Sequence, residues 1–279
     1  MATKKATTTN KKAPAKKPAS APAVAVTKTT VKTVPATVKK QTLGDHIETS
    51  ITSSRLWRAL GAEFIGTFLL AAVIVSAQGQ PIFVLFALAG LVFLLGAISG
   101  GHFNPAITIG AWATRRIGWL RALGYIIVQF FGAAIAFFAL SAFISGAAQP
   151  SAQEQLYGQT AATLFKAADI TAIAGKEWFV FFAELLGTAI LGFALAAATR
   201  TKEIVSASFS AGFGIFIALM VGVTIAGYVS ASSIINPAVA LTLQAYVPSV
   251  WAYVVYALAP VIGAVIGFLV YDFIRGKNN

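Results

Sequence analysis

Two Asn-Pro-Ala triplets are the most informative polar groups of this 279-residue sequence, at positions 104–106 and 236–238. Asn is a favoured helix N-cap, because its side-chain oxygen accepts hydrogen bonds from the free backbone N–H groups of the first turn. Pro suits the next position, where its missing N–H is no loss. Each triplet therefore predicts the start of a helix, with an amide that can also donate to a small polar molecule. The residues concerned are Asn104, Pro105, Ala106, Asn236, Pro237 and Ala238.

Three ionisable residues stand within or beside apolar stretches: Glu63, Glu184 and His102. Ionisable groups inside membrane segments are functional candidates by default. Each carboxylate can hold a loop by accepting from its backbone N–H groups, or it can relay protons. His102 can act as a pH gate, because histidine titrates near neutral pH, or it can be a packed, hydrogen-bonded loop residue. We favour the supporting role for all three residues.

The composition argues against most other chemistry. With no Cys and two His, a thiolate or multi-histidine metal site and a thiol nucleophile are nearly excluded. The chain is 57% hydrophobic and 11% charged, whereas soluble domains are about 25% charged. The mean hydropathy is +0.78. These values predict a polytopic membrane protein that is not an enzyme and has no cofactor or metal.

Six apolar runs are long enough to cross a bilayer, which takes about 20 helical residues. They lie at residues 57–77, 81–98, 119–145, 178–199, 207–226 and 251–274. Of the 21 Lys and Arg residues, 19 fall on one side of these spans, and only Lys166 and Lys176 fall on the other. The positive-inside rule therefore predicts a multi-pass protein of the cell membrane with both termini in the cytoplasm.

The first 50 residues differ from the rest of the chain. Residues 1–40 carry ten Lys and no acidic residue, in a chain of net charge +12. Such a segment buries too little apolar surface to offset its ordering entropy. We expect a disordered basic cytoplasmic tail at 1–50 and a membrane domain at 51–279. A solvated tail is favoured over one that binds anionic lipid head groups, and no nucleic acid partner is expected.

The membrane domain contains two similar halves, at about residues 57–145 and 177–274. Ala-Glu-Phe-Ile-Gly-Thr at 62–67 recurs as Ala-Glu-Leu-Leu-Gly-Thr at 183–188, and each half has one Asn-Pro-Ala triplet. Three spans per half is an odd number, so the second half is inverted relative to the first. Each triplet starts a helix of about ten residues. Its length of about 15 Å is half the thickness of the hydrocarbon core of a bilayer.

The predicted fold class is therefore an all-α membrane protein with six transmembrane helices and two re-entrant half-helices in an inverted repeat. The inversion brings Asn104 and Asn236 together at the midplane. Irregular backbone at that depth is tolerated where it is buried or lines a watery cavity. Its carbonyls can accept hydrogen bonds along a pore, while the positive ends of the half-helices oppose cations. This geometry suits a narrow conduit for a small neutral polar molecule.

These motifs resemble the major intrinsic protein family, the aquaporins and glycerol facilitators, over about residues 57–275. The paired triplets and the repeated Ala-Glu-x-x-Gly-Thr carry the likeness, and the run at 99–110 is similar to the bacterial water-channel form. The resemblance implies an hourglass fold, one pore per protomer and usually a homotetramer. It also implies passive transport in either direction without a cofactor.

The selectivity filter implied by this resemblance departs from the family pattern. An Arg normally follows the second triplet, where this chain has Val239, and Ala240 stands where glycerol-type members carry Asp. Water-selective members carry a His on the fifth helix, and an ungapped count places Thr224 there. The other two positions fall at Ser233 and near Val84. Without the Arg we expect a wider, less charged constriction, unless a Phe or Tyr of an outer loop narrows the mouth.

The predicted function is a passive channel for water and for small neutral solutes such as glycerol, urea or ammonia. The main alternative is an ion- or proton-coupled secondary transporter built on inverted repeats. Against this alternative, Glu63 and Glu184 are the only acids well inside the spans, and the repeat matches them to each other. A third reading is a membrane-surface protein whose working part is the basic tail.

Overall fold

The computed structural model describes residues 52–276 together with Gly44, Glu48 and Thr49. The predicted tail at 1–50 thus lies almost wholly outside the described residues. Six of the described helices are long and apolar enough to cross a membrane: α1 (Ser54–Ser76), α2 (Pro81–Ser99), α4 (Trp119–Ser145), α6 (Glu177–Ala198), α7 (Ile204–Gly227) and α9 (Val250–Arg275). The shorter elements are α3 (Pro105–Ala113), α5 (Ala152–Leu156), a 3₁₀ turn (Ile170–Ile173) and α8 (Pro237–Thr242).

The six spans agree with the predicted apolar runs to within three residues at every end. Their outer surfaces are strongly apolar, with Phe86, Phe138 and Phe143 exposing 67%, 67% and 79% of their area. A soluble protein rarely leaves such a continuous apolar surface in water. Hydrocarbon is the solvent that these side chains fit, so the helices form a membrane-embedded bundle.

The helices pack as two inverted halves. In the first half α1 packs against α2 and α4, and in the second half α6 packs against α7 and α9. The short helices cross between the halves, since α3 packs on α9 and α8 packs on α4. Helices α2 and α7 form a further contact between the halves. This exchange places the starts of α3 and α8 together inside the bundle.

Glycine allows the close approach of helices at equivalent points of the two halves. A Cβ atom on Gly132 of α4 would lie 2.6 Å from the carbonyl oxygen of Phe64 in α1. A Cβ on Gly263 of α9 would collide in the same way with the carbonyl of Leu185 in α6. Backbones that approach this closely gain dispersion contacts, which drive helix association within a membrane.

The second half-helix is shorter than expected. Helix α3 has nine residues, close to the predicted ten, but α8 has only six and ends before residue 246. Gln244 adopts a left-handed conformation with φ +56°, as Arg115 does with φ +61° after α3. The carbonyl of Leu243 then accepts from the N–H of Ala167, at 2.9 Å, in the segment between α4 and α6, which we call the outer loop after its predicted orientation. This turn, rather than Pro248, ends the helix.

Candidate functional site

The two asparagines of the triplets cap the half-helices. Asn104 Oδ1 accepts from the backbone N–H groups of Ala106 at 2.9 Å and Ile107 at 3.4 Å. Asn236 Oδ1 accepts in the same way from the N–H groups of Ala238 at 3.0 Å and Val239 at 3.4 Å. Because the caps fix each side-chain oxygen, each amide nitrogen points away from its own helix.

The amide nitrogens join the two halves. Asn104 Nδ2 donates to the carbonyl of Ile235 at 2.8 Å, and Asn236 Nδ2 donates to the carbonyl of Phe103 at 2.9 Å. The two half-helices therefore meet with their starts facing each other. A side-chain amide has two N–H groups, so each Asn keeps one donor beyond this exchange.

Each pore loop is held by a buried glutamate. Glu63 accepts from the N–H groups of His102 at 3.0 Å and Phe103 at 2.7 Å. Glu184 accepts from the N–H groups of Ile234 and Ile235, the latter at 2.7 Å. Both carboxylates are fully buried. A buried carboxylate needs such donors, so each glutamate ties one pore loop to the helix that carries it.

The residues before the asparagines are backbone outliers. Phe103 has φ +46° and Ile235 has φ +53°, in the left-handed region that bulky residues rarely adopt. Their side chains fill the space opposite two glycines of the repeated motif. A Cβ on Gly66 would collide with the ring of Phe103, and a Cβ on Gly187 would lie 2.7 Å from Ile235 Cγ2. The repeated Glu-x-x-Gly therefore clamps each loop by charge and by shape.

A polar network around the first loop includes His102. Its Nδ1 lies 3.2 Å from Thr108 Oγ1, and its ring meets the ring of Tyr125 edge-on at 5.5 Å. Gln129 donates from Nε2 to Glu63 at 2.8 Å and contacts Thr108 at 3.0 Å. The structure thus places His102 as a packed, hydrogen-bonded residue. Sequence reasoning missed Gln129, because a single Gln in an apolar span carries no motif.

A cavity of about 230 Å³ on the side of the outer loop reaches Asn236, and we call it the outer cavity. Three of the four predicted filter residues, Val84, Ser233 and Val239, line it together. No charged side chain lines it among the described residues. The remaining lining residues are mostly apolar: Ile74, Gln78, Gly79, Gln80, Pro81, Phe165, Ile215, Leu219, Val223, Ala231, Ser232, Ile234 and Leu243.

The structure does not bring the fourth predicted filter residue, Thr224, into this cavity. Helix α7 presents Ile215, Leu219 and Val223 to the cavity, a stripe at four-residue spacing. Thr224 is one residue, or about 100° of helix rotation, beyond that stripe. Its hydroxyl donates to the carbonyl of Met220 at 2.7 Å, on its own helix. The ungapped count back from Asn236 therefore misses the lining face by one residue.

An aromatic residue of the outer loop does line the cavity. The ring of Phe165 lines the cavity and packs against Gly79. A Cβ atom added at Gly79 would lie 2.8 Å from this ring. The loop is tied down next to it, because the N–H of Ala168 donates to Ser232 Oγ at 2.9 Å. The adjacent N–H of Ala167 donates to the carbonyl of Leu243, which ties the loop to the end of α8 as well. The sequence raised an outer-loop Phe or Tyr as an alternative without identifying which.

A second cavity, of about 510 Å³, opens on the opposite side of the asparagine pair. Gly100 and His102 of the first pore loop form its inner end. Five arginines line its walls: Arg55, Arg115, Arg116, Arg121 and Arg200. We call it the arginine vestibule. From the sequence, these arginines served only to predict the membrane orientation. That they line one cavity could not be predicted, because it depends on the packing of α1, α4 and the loops.

Known proteins are similar to this chain in sequence and in fold. The family model described as Major intrinsic protein matches residues 50–271. Aquaporin AqpM of Methanothermobacter thermautotrophicus is 30% identical over 206 residues, covering 69% of this chain and 74% of that protein. Glycerol uptake facilitator protein-like 6 of Lactiplantibacillus plantarum is 32% identical over 224 residues, covering 74% of this chain and 92% of that protein.

Among solved structures, the aquaglyceroporin from Plasmodium falciparum matches with a TM-score of 0.59 at 20% sequence identity. The match covers 79% of this chain and 97% of that one, and it confirms the predicted fold class. The family model and the relatives confirm the resemblance inferred from the paired triplets. The chain belongs to the major intrinsic protein family, as a multi-pass membrane channel.

Proposed function

We propose that water is the main permeant of this passive channel and that small neutral solutes share its path. One observation carries the proposal. Two capped asparagines, each with a spare N–H donor, lie between an outer cavity and the arginine vestibule. Donors at the midplane with carbonyls on either side suit a molecule that both donates and accepts. The facing positive ends of α3 and α8 oppose cations there.

The outer cavity supports the inclusion of neutral solutes. Val84 and Val239 form apolar walls of the cavity, and Phe165 adds an aromatic wall. Apolar walls do not penalise the CH₂ groups of glycerol, and Asn236 supplies a polar partner. We propose Val84, Ser233, Val239 and Phe165 as filter residues. On α7, Val223 takes the place of Thr224, because its side of the helix faces the cavity.

The proposal also covers the oligomeric state, the membrane orientation and the division of the chain into domains. A homotetramer in the plasma membrane with both termini cytoplasmic agrees with the family and with the 19 basic residues on one side. Residues 1–50 would be a tail and residues 51–279 the channel domain, without enzymatic activity. Glu63 and Glu184 support the pore loops in this scheme and do not relay protons across the membrane.

Stopped-flow light scattering of liposomes that contain the full chain tests the proposal. Osmotic shrinkage should be faster than in empty liposomes and independent of sodium or proton gradients. Inward gradients of glycerol, urea and ammonia in the same liposomes then rank the solutes. Shrinkage at the rate of empty liposomes would refute water as the permeant. Solute uptake that needs an ion gradient would favour the coupled transporter.

A further inference from the structure

The arginine vestibule carries an excess of positive charge that the transport of a neutral molecule does not require. Five guanidinium groups line it, and none of its described lining residues is acidic. Within the described part of the chain one carboxylate, Asp272, pairs with them, 2.6 Å from Arg116 and 3.4 Å from Arg200. The positive-inside rule explains arginines on this side of the membrane. It does not require them to converge on one cavity.

Two of the arginines are fixed in place. Arg121 donates from Nε to the hydroxyl of Tyr125 at 2.7 Å and from Nη2 to the carbonyl of Ser99 at 3.2 Å. Tyr125 is fully buried, and its hydroxyl also donates to Ser99, at 2.6 Å. Arg116 lies over the ring of Phe268 at 4.9 Å. These contacts hold cationic groups rigidly at the rim, which lowers the entropy lost on binding a ligand.

The other arginines have free donors. Arg55 and Arg115 are exposed, and their side chains have no partner among the described residues. Arg200 is 47% exposed and uses one nitrogen for Asp272. A guanidinium fork matches two oxygens of a phosphate group and is weakly hydrated, so it loses little on binding. The vestibule thus combines guanidinium groups that are held in place with exposed ones that can adjust, and this combination suits the binding of a phosphate group.

The local electrostatics point the same way. Burial lowers the pKa of the Arg116 guanidinium; Asp272 opposes this shift, while Arg200 and Arg275 add to it. Burial makes the largest contribution to this shift, and Arg200 and Arg275 lie close enough to Arg116 to repel its charge. A bound anion would relieve that repulsion.

We propose that the arginine vestibule binds a phosphate-bearing anion, which then obstructs the pore entrance beside Gly100 and His102. The phosphate group is either free in solution or part of an anionic lipid head group. The obstruction rests on the proposed channel function, whereas the binding does not. The site would make water flow sensitive to phosphate on the side of the membrane that carries the arginines.

Calorimetric titration of the detergent-solubilised full chain with inorganic phosphate tests the binding. Wild type should show saturable heat at constant ionic strength. Arg115→Gln combined with Arg200→Gln should weaken binding about tenfold or more, as expected for lost charge-assisted hydrogen bonds. Lys166→Gln combined with Lys176→Gln is the matched control, because it removes two positive charges from the segment between α4 and α6 and neither lysine lines the vestibule. Absent saturation, or equal weakening in the control, would overturn the proposal.

Water flow in liposomes tests the obstruction and separates the two sources of phosphate. In phosphatidylcholine liposomes, inorganic phosphate should slow osmotic shrinkage of wild type and leave the double arginine variant unaffected. In phosphate-free buffer, phosphatidic acid in the bilayer should slow wild type if the ligand is a head group. Either inhibition supports the proposal and identifies the source. Phosphate that binds in the titration but changes flow in neither arm would refute the obstruction.

Discussion

Glu63→Gln tests whether the carboxylate is a clamp on the loop before Asn104. Glu63 receives three N–H groups, from His102 at 3.0 Å, Phe103 at 2.7 Å and Gln129 at 2.8 Å. The introduced amide keeps one acceptor oxygen, but its NH₂ group faces at least one of these donors. The remaining hydrogen bonds also lose the benefit of a charged acceptor.

The cost follows from the groups left unpaired. A buried N–H without a partner costs about 1–3 kcal/mol, and a bond to a neutral acceptor is weaker than one to a carboxylate by about 1 kcal/mol. We therefore expect the free energy of unfolding to fall by about 2–4 kcal/mol. For a chain of this size, 1 kcal/mol shifts the unfolding midpoint by about 2–4 °C, so the midpoint should fall by about 4–16 °C.

Thermal unfolding followed by tryptophan fluorescence measures this shift, and osmotic shrinkage of liposomes measures transport by the same variant. Glu154→Gln is the matched control, because Glu154 is exposed on α5 and, within the described residues, accepts only from Ser151. The control should change neither quantity. A normal midpoint with abolished transport would indicate a proton relay at Glu63. A normal midpoint with normal transport would show that the loop needs no clamp.

Four further changes test the outer cavity and the tail. Val239→Arg should reduce glycerol and urea flux while water flux persists, because a guanidinium narrows the cavity; unchanged solute flux in liposomes would contradict its place in the filter. Phe165→Ala should raise glycerol flux, whereas Phe143→Ala, on the lipid-facing surface, should not. Thr224→Ala should leave the stopped-flow solute profile unchanged, since its side chain does not line the cavity. Removing residues 1–50 should leave water flux intact, and a collapse would indicate gating by the tail.

The spans and the loop clamps could be predicted from the sequence because each depends on a local or repeated pattern. Runs of apolar residues set the helices, and Asn-Pro-Ala specifies a cap through the chemistry of two adjacent residues. Glu63 and Glu184 were identifiable because each is an ionisable residue inside an apolar span, at the same position of the repeated motif. The inversion followed from counting three spans in each half.

The details that failed depend on contacts between distant segments. Thr224 and Val223 differ by one position, and the rotation of α7 about its axis is set by its packing on α2 and α6. The end of α8 depends on a hydrogen bond from Ala167, in a loop whose path the sequence leaves open. The placement of Phe165 in the cavity follows from that same loop, and no motif marks it.

The central claim is a wet passage that runs between the amides of Asn104 and Asn236. Electron cryomicroscopy of the full chain in lipid nanodiscs, at a resolution that shows ordered water, tests it most directly. The account predicts a file of water molecules from the outer cavity to the arginine vestibule, with one within hydrogen-bond distance of both asparagine nitrogens. A dry apolar plug between the two cavities, or asparagines that point away from any water, would contradict it.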